Sequence, residues 1–276
     1  MLKNPLSLAL MLFTCSMTAQ AQIVMQGQFE QGALVRGSVP AGSQIALNEK
    51  DVHVTPDGHF AIGFERDAPL SQLLKVTYPD GLTQLKPLIL EKKHYKVDRV
   101  NGISKKIMKP NPVAQKRARQ DAQQVRTARD TFSQQDAFMQ DFIWPVTGRI
   151  SGVYGSQRVY NGKPGNPHFG VDVARPTGTP VVAPAGGIVT LAESDMFYSG
   201  GTMIIDHGYG VSSTFLHLSK INCNVGDKVT QGQHVAEIGA TGRATGPHLD
   251  WRINWFQMRL DPVTVVPPMK QVLAIE

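Results

Sequence analysis

Between Phe142 and Val265 this chain has little room for helix. Runs of β-branched and aliphatic residues are cut every few positions by glycine or proline. Examples are Gly148-Arg149-Ile150-Ser151-Gly152, Pro180-Val181-Val182-Ala183-Pro184 and Thr202-Met203-Ile204-Ile205-Asp206, and no helical hydrophobic period appears. Residues 142–276 therefore read as an all-β domain of many short strands.

The rest of the chain divides by composition. Residues 22–100 repeat apolar clusters such as Ala33-Leu34-Val35 and His59-Phe60-Ala61-Ile62. Turn signals separate them at Pro40-Ala41-Gly42, Pro56-Asp57-Gly58 and Pro79-Asp80-Gly81, which predicts a small β-sandwich. Residues 101–141 form a basic linker. Asn111-Pro112 is a helix-opening pair, and Ala114, Ala118, Ala122, Val125 and Ala128 make a thin apolar stripe on an otherwise polar helix. Residues 101–130 hold eight basic and two acidic side chains, which equals the whole chain's net charge of +6. The excess is one segment, not a surface property, so it argues against nucleic acid as the partner. It leaves two readings of the linker: a solvated connector, or a contact with anionic envelope lipids or wall polymers.

Residues 1–21 read as a signal peptide, with Lys3, the apolar run Leu6 to Phe13, and Ala19-Gln20-Ala21 as the cleavage site. The run is too short to span a membrane, and no other stretch is long enough. The expected location is the periplasm or cell envelope. Of the two cysteines only Cys223 lies after the cleavage site, so no internal disulfide is expected.

Chemistry concentrates in the last domain. In Pro167-His-Phe-Gly-Val-Asp-Val173, alternation puts His168 and Asp172 on one face. A straight strand would hold them about 13 Å apart, too far for one metal. Either the chain bends at Gly170, or His168 belongs to the preceding Gly165-Asn166-Pro167 loop and curls back. In Thr214-Phe-Leu-His-Leu-Ser219, alternation places His217 with Phe215, and Leu216 with Leu218. In Gly246-Pro-His-Leu-Asp-Trp251, His248 and Asp250 share a face. His168, Asp172 and one member of the last pair give three protein ligands with a fourth position open, the pattern of a catalytic metal site.

At these residues the chain resembles the lysostaphin/LytM-type zinc metallopeptidases. The likeness runs over about residues 144–265 through Gly152-Val-Tyr-Gly-Ser-Gln-Arg158, His168-Phe-Gly-Val-Asp172, His207-Gly-Tyr-Gly210, Phe215-Leu-His-Leu218 and Gly239-Ala-Thr-Gly-Arg-Ala-Thr-Gly-Pro-His248. The resemblance implies a mainly β fold with an antiparallel sheet, zinc as the cofactor, and an exported endopeptidase cutting peptide cross-links of peptidoglycan. The alternative is a catalytically impaired relative that binds the wall or activates an amidase. It implies His168 and Asp172 as zinc ligands, His217 and His248 as catalytic residues, and Asp250 at the third ligand position. Asp250 departs from the family, which usually has histidine there. Two carboxylates would neutralise the metal and predict slower chemistry or a higher pH optimum. A rearranged site, with His248 as ligand and Asp250 behind it, is the other arrangement. Arg158 and Tyr154 are expected along the substrate groove, with a structural role as the competing reading for Arg158. His207 is expected to be structural, and His53, His59 and His234 ordinary.

Overall fold

The computed structural model describes residues 23–101 and 112–274. The expected signal peptide and linker residues 102–111 lie outside the described residues. The protein is mainly β. Among the described residues no helix is long and apolar enough to cross a membrane.

The N-terminal domain contains β1 (Val24–Gln26), β2 (Leu34–Ser38), β3 (Gln44–Leu47), β4 (Lys50–Val52), β5 (His59–Gly63), β6 (Ser71–Thr77) and β7 (Thr83–Ile89). They form two antiparallel sheets, β1-β2-β5 and β4-β3-β6-β7. Period-two alternation along β6 turns Leu74 and Val76 inward, where they meet Val35, Ile45, Phe60 and Ile62 in one apolar core. The next strand, β8 (Val97–Val100), leaves this domain. It pairs in parallel with β10 (Gln157–Tyr160), which forms a hairpin with β11 (Lys163–Pro164). The boundary drawn at residue 100 from composition thus cuts after a strand that belongs to the C-terminal half's hairpin.

The C-terminal domain adds β9 (Arg149–Gly152), β12 (Val171–Ala174), β13 (Pro180–Val182), β14 (Gly187–Met196), β15 (Gly200–Gly208), β16 (Val211–Ile221), β17 (Lys228–Val229), β18 (His234–Ile238), β19 (Leu249–Trp255) and β20 (Met258–Leu260). Their path is β17-β14-β15-β16-β19-β12-β9, with β18 bridging β16 and β13, and β20 on the end of β19. Leu249, Trp251 and Ile253 enter the core with Val171, Val173, Met203 and Phe215. Alternation therefore assigns His248, Asp250, Arg252 and Asn254 to the opposite face.

The two domains are docked. Leu34 and Ala61 of the N-terminal sandwich join the C-terminal core, and Trp255 touches both cores. Lys93 bridges Glu30 at 2.7 Å and the buried Asp261 at 2.8 Å. Tyr154 lies near this seam. It is 4% exposed, its ring meets Tyr95, and its hydroxyl donates to the Arg259 carbonyl at 2.8 Å. That corrects the expectation that Tyr154 lines a substrate groove.

The linker helix α1 (Pro112–Asp130) does not float in solvent. The C-terminal end of its thin stripe is its docking face. Val125 and Ala128 pack on Leu191, Met196 and Ile204 of the sheet. Asp121 accepts a hydrogen bond from the Phe197 amide at 2.7 Å, and Arg117 pairs with Asp195 at 2.8 Å. Lys116 and Arg119 remain exposed.

His207 sits in the core of this sheet. Its Nδ1 donates to the Gly186 carbonyl at 2.6 Å, and its Nε2 accepts from the Ser213 hydroxyl at 2.8 Å. Burial pushes its pKa down to about 4, from 6.5. The sign follows from linkage: the unfolded chain takes up this proton first, so stability falls as pH drops from about 6.5 to about 4. We expect roughly 3 kcal/mol lost over that window. Urea unfolding at several pH values, with His207→Gln subtracted, checks it; a flat difference excludes a buried neutral imidazole.

Candidate active site

The polar face of β19 is the base of the site. β12 pairs antiparallel with β19 so that Asp172 lies directly opposite Asp250, and β16 sets Leu216 opposite Asp250 on the other side. Three ligand-bearing residues converge there. One donor atom each from His168, Asp172 and Asp250 lies within 4.8 Å of the other two.

His168 reaches the cluster from a loop. Strand β12 begins only at Val171, and the His168 backbone is tied to the chain before it: its amide donates to the Ser156 carbonyl and its carbonyl accepts from Gly155, both at 2.8 Å. Of the two sequence readings, the loop that curls back is the one the chain adopts. Gly170 allows the approach, because a Cβ there would lie 2.3 Å from Asp250 Oδ1 and 2.6 Å from the Trp251 carbonyl.

His168 Nε2 stands 3.1 Å from Asp172 Oδ1, yet both atoms are buried and neither has an aligned hydrogen-bond partner. A histidine Nε2 and a carboxylate oxygen facing each other without an aligned hydrogen bond suit a cation between them. Burial works against a charged His168 ring, but the Asp172 and Asp250 carboxylates outweigh it and raise its pKa. The residues present therefore fit a divalent metal.

Asp250 is 3% exposed and is not a lone second carboxylate. Arg252, two residues on and on the same face, grips it with both arms: Nε to Oδ1 at 2.9 Å and an Nη to Oδ2 at 2.6 Å. Burial alone would push the Asp250 carboxyl up; the guanidinium holds it below the ordinary carboxylate value. With Asp250 and Arg252 cancelling, the cluster carries one formal negative charge, from Asp172. This is the charge of a site with two histidines and one aspartate. The expectation that two carboxylates neutralise the metal is corrected on this point.

His217 departs from its strand's alternation. Its φ is +65°, and the β15–β16 register shifts between its neighbours. As a result Phe215 and Leu218 both lie in the core, while the His217 ring meets His248 with centroids 4.7 Å apart. The predicted shared face of Phe215 and His217 is thus broken by an irregularity that alternation cannot foresee. Both rings have a defined tautomer. His217 Nδ1 donates to the Thr241 carbonyl, and His248 Nδ1 to the Gly246 carbonyl, each at 2.8 Å. A carbonyl only accepts, so the proton sits on Nδ1 and Nε2 is left as the basic atom. His248 Nε2 lies 3.9 Å from Asp172 Oδ1. Burial pulls the His217 pKa below its ordinary value.

Beside this cluster, α1 and the sheet enclose a groove of about 790 Å³ lined by Ala118, Val125, Arg129, His217, Arg252 and Arg259 among others. Sequence reasoning missed Arg252 and this wall. Arg252 had a signal, since it follows Asp250 by two on an alternating strand. Arg158 is exposed on β10, ahead of the His168 loop.

The Peptidase family M23 model matches residues 166–262. Peptidoglycan DD-endopeptidase ShyA of Vibrio cholerae is 42% identical over 87 residues, 32% of this chain and 20% of that protein. DD-carboxypeptidase/endopeptidase Mpg of Neisseria meningitidis is 36% identical over 105 residues, 38% of this chain and 24% of that protein. The chain thus spans about a fifth to a quarter of the length of these curated relatives. A solved structure of a candidate M23 peptidase from Pseudomonas aeruginosa superposes with a TM-score of 0.67 at 28% identity, covering 87% of this chain and 95% of that one.

Proposed function

We propose, from the match of residues 166–262 to the Peptidase family M23 model, that the protein is an exported zinc metalloendopeptidase that hydrolyses peptide cross-links in peptidoglycan. One observation carries the reading: the orphaned His168 Nε2 and Asp172 Oδ1, beside Asp250 and under two histidines that both present a free Nε2.

We assign His168, Asp172 and Asp250 as the metal ligands. A zinc ion held there supplies a Lewis acid for the scissile carbonyl and lowers the pKa of water. Arg252 holds Asp250 in place and keeps it ionised. His217, neutral at pH 7 because burial lowers its pKa, has Nε2 ready to accept the proton of the attacking water. His248, stacked against it, can stabilise negative charge at the tetrahedral stage or return the proton to the leaving amine. For Arg158, exposed ahead of the His168 loop, the proposed role is pairing with a substrate carboxylate. The proposed place of action is the cell envelope, where the outward Lys116 and Arg119 are left to meet an anionic surface.

Digestion of purified sacculi, with mass spectrometry of the released muropeptides, tests this. We expect new free peptide ends, lost on chelation and restored by zinc. Intact cross-links with stoichiometric zinc bound would remove the peptidase reading, and the same result without zinc would remove the metal site as well.

A further inference from the structure

The groove between α1 and the sheet is strongly cationic. Its lining holds five arginines, Arg126, Arg129, Arg243, Arg252 and Arg259, against one acid, Asp121, whose Oδ2 already accepts from the Phe197 amide. Arg252 is committed to Asp250. Two others have no carboxylate among the described residues. Arg129 is 4% exposed; its Nε donates to the Val125 carbonyl of its own helix, and one Nη is buried without a partner. Arg259 donates to the neutral Asn254 Oδ1 at 2.8 Å. Burial alone pulls its pKa down to about 10. Burying a guanidinium without a counter-charge costs several kcal/mol, on the order of what a paired one avoids. Two such groups facing one groove mark a place where an anion completes the structure. The groove also opens onto His217 and onto Asn166, two residues before His168.

We propose that this groove is a carboxylate subsite: Arg129 and Arg259 receive the free C-terminal carboxylate of a peptide whose neighbouring bond lies at the His217 end. The carboxylate is favoured over other anions because its planar pair of oxygens matches the fork of a guanidinium. The inference rests on the peptidase reading for its choice of ligand. It differs from it in placing half of the recognition, Arg129, on the linker helix, a segment outside the M23 match.

The test uses the full chain, with N-acetyl-D-alanyl-D-alanine and its C-terminal amide as probes, followed by NMR titration. The acid should bind at least tenfold more tightly than the amide. Arg129→Gln and Arg259→Gln should each abolish that preference and leave amide binding unchanged, while Arg259→Lys should restore part of it. Because Arg259→Gln can disturb folding, Arg129→Gln is read together with the circular dichroism spectrum of each variant. The titration is repeated after chelation. Equal affinities, no binding of either probe, preference retained in a folded Arg129→Gln protein, or preference lost on chelation would each overturn the subsite. Sacculus digestion by the same preparation separates the two readings. Cleavage without carboxylate preference sinks the subsite alone; preference without cleavage sinks the peptidase reading alone.

Discussion

Replacing either His217 or His248 by alanine is expected to lower cleavage of sacculi by about two to four orders of magnitude, the usual share of a positioned general acid or base. Bound zinc should not change. Both rings spend Nδ1 on a backbone carbonyl, and neither belongs to the cluster of His168, Asp172 and Asp250. Metal content therefore separates the two arrangements that the sequence leaves open. If His248→Ala loses zinc along with activity, His248 is a ligand and the assignment made here is wrong. Wild-type rates in both variants would remove the histidines from the mechanism altogether. The backbone of His217 adds a second sign of function. A non-glycine residue at φ +65° costs about 1–2 kcal/mol, a strain that a strand keeps when it aims a side chain.

The second large effect is on stability. Arg252→Gln leaves the Asp250 carboxylate buried without its cation, and removing one partner of such a pair costs about 3–5 kcal/mol. Asp250→His, which looks in sequence like a return to the family's usual ligand, strands Arg252 in the same way and should also destabilise the fold. The double substitution Asp250→His with Arg252→Gln is expected to recover most of the loss and to bind zinc at least as well as wild type. Chemical unfolding of the four proteins forms a double-mutant cycle, read alongside zinc content. If Asp250→His alone matches wild type in both, Arg252 is not the partner that made the aspartate tolerable.

These expectations turn on features of unequal legibility. The mainly β character, the sandwich and the shared face of His248 and Asp250 all follow from period-two alternation and from glycine and proline placement. The same alternation failed at His217, because the irregularity there depends on how β16 registers against β15, a partner outside the local window. The expectation set beside the family resemblance, that Tyr154 lines a groove, fails for a different reason: the N-terminal domain covers the ring. The linker's thin alanine stripe was visible as a stripe, but not as a docking face. Nothing in residues 112–130 names Leu191, Met196 and Ile204 as what they bury.

The sequence by itself determined the β character of both domains and the shared face of His248 and Asp250, since backbone pleat and turn preference are local properties. Tertiary structure alone decided three things: that Asp250 is neutralised by Arg252, that His217 stacks on His248, and that a basic linker forms the wall of an arginine-rich groove. Each depends on strands and a helix brought together from distant parts of the chain. The energies that decide them, desolvation and charge pairing, exist only once burial has removed water from between those parts.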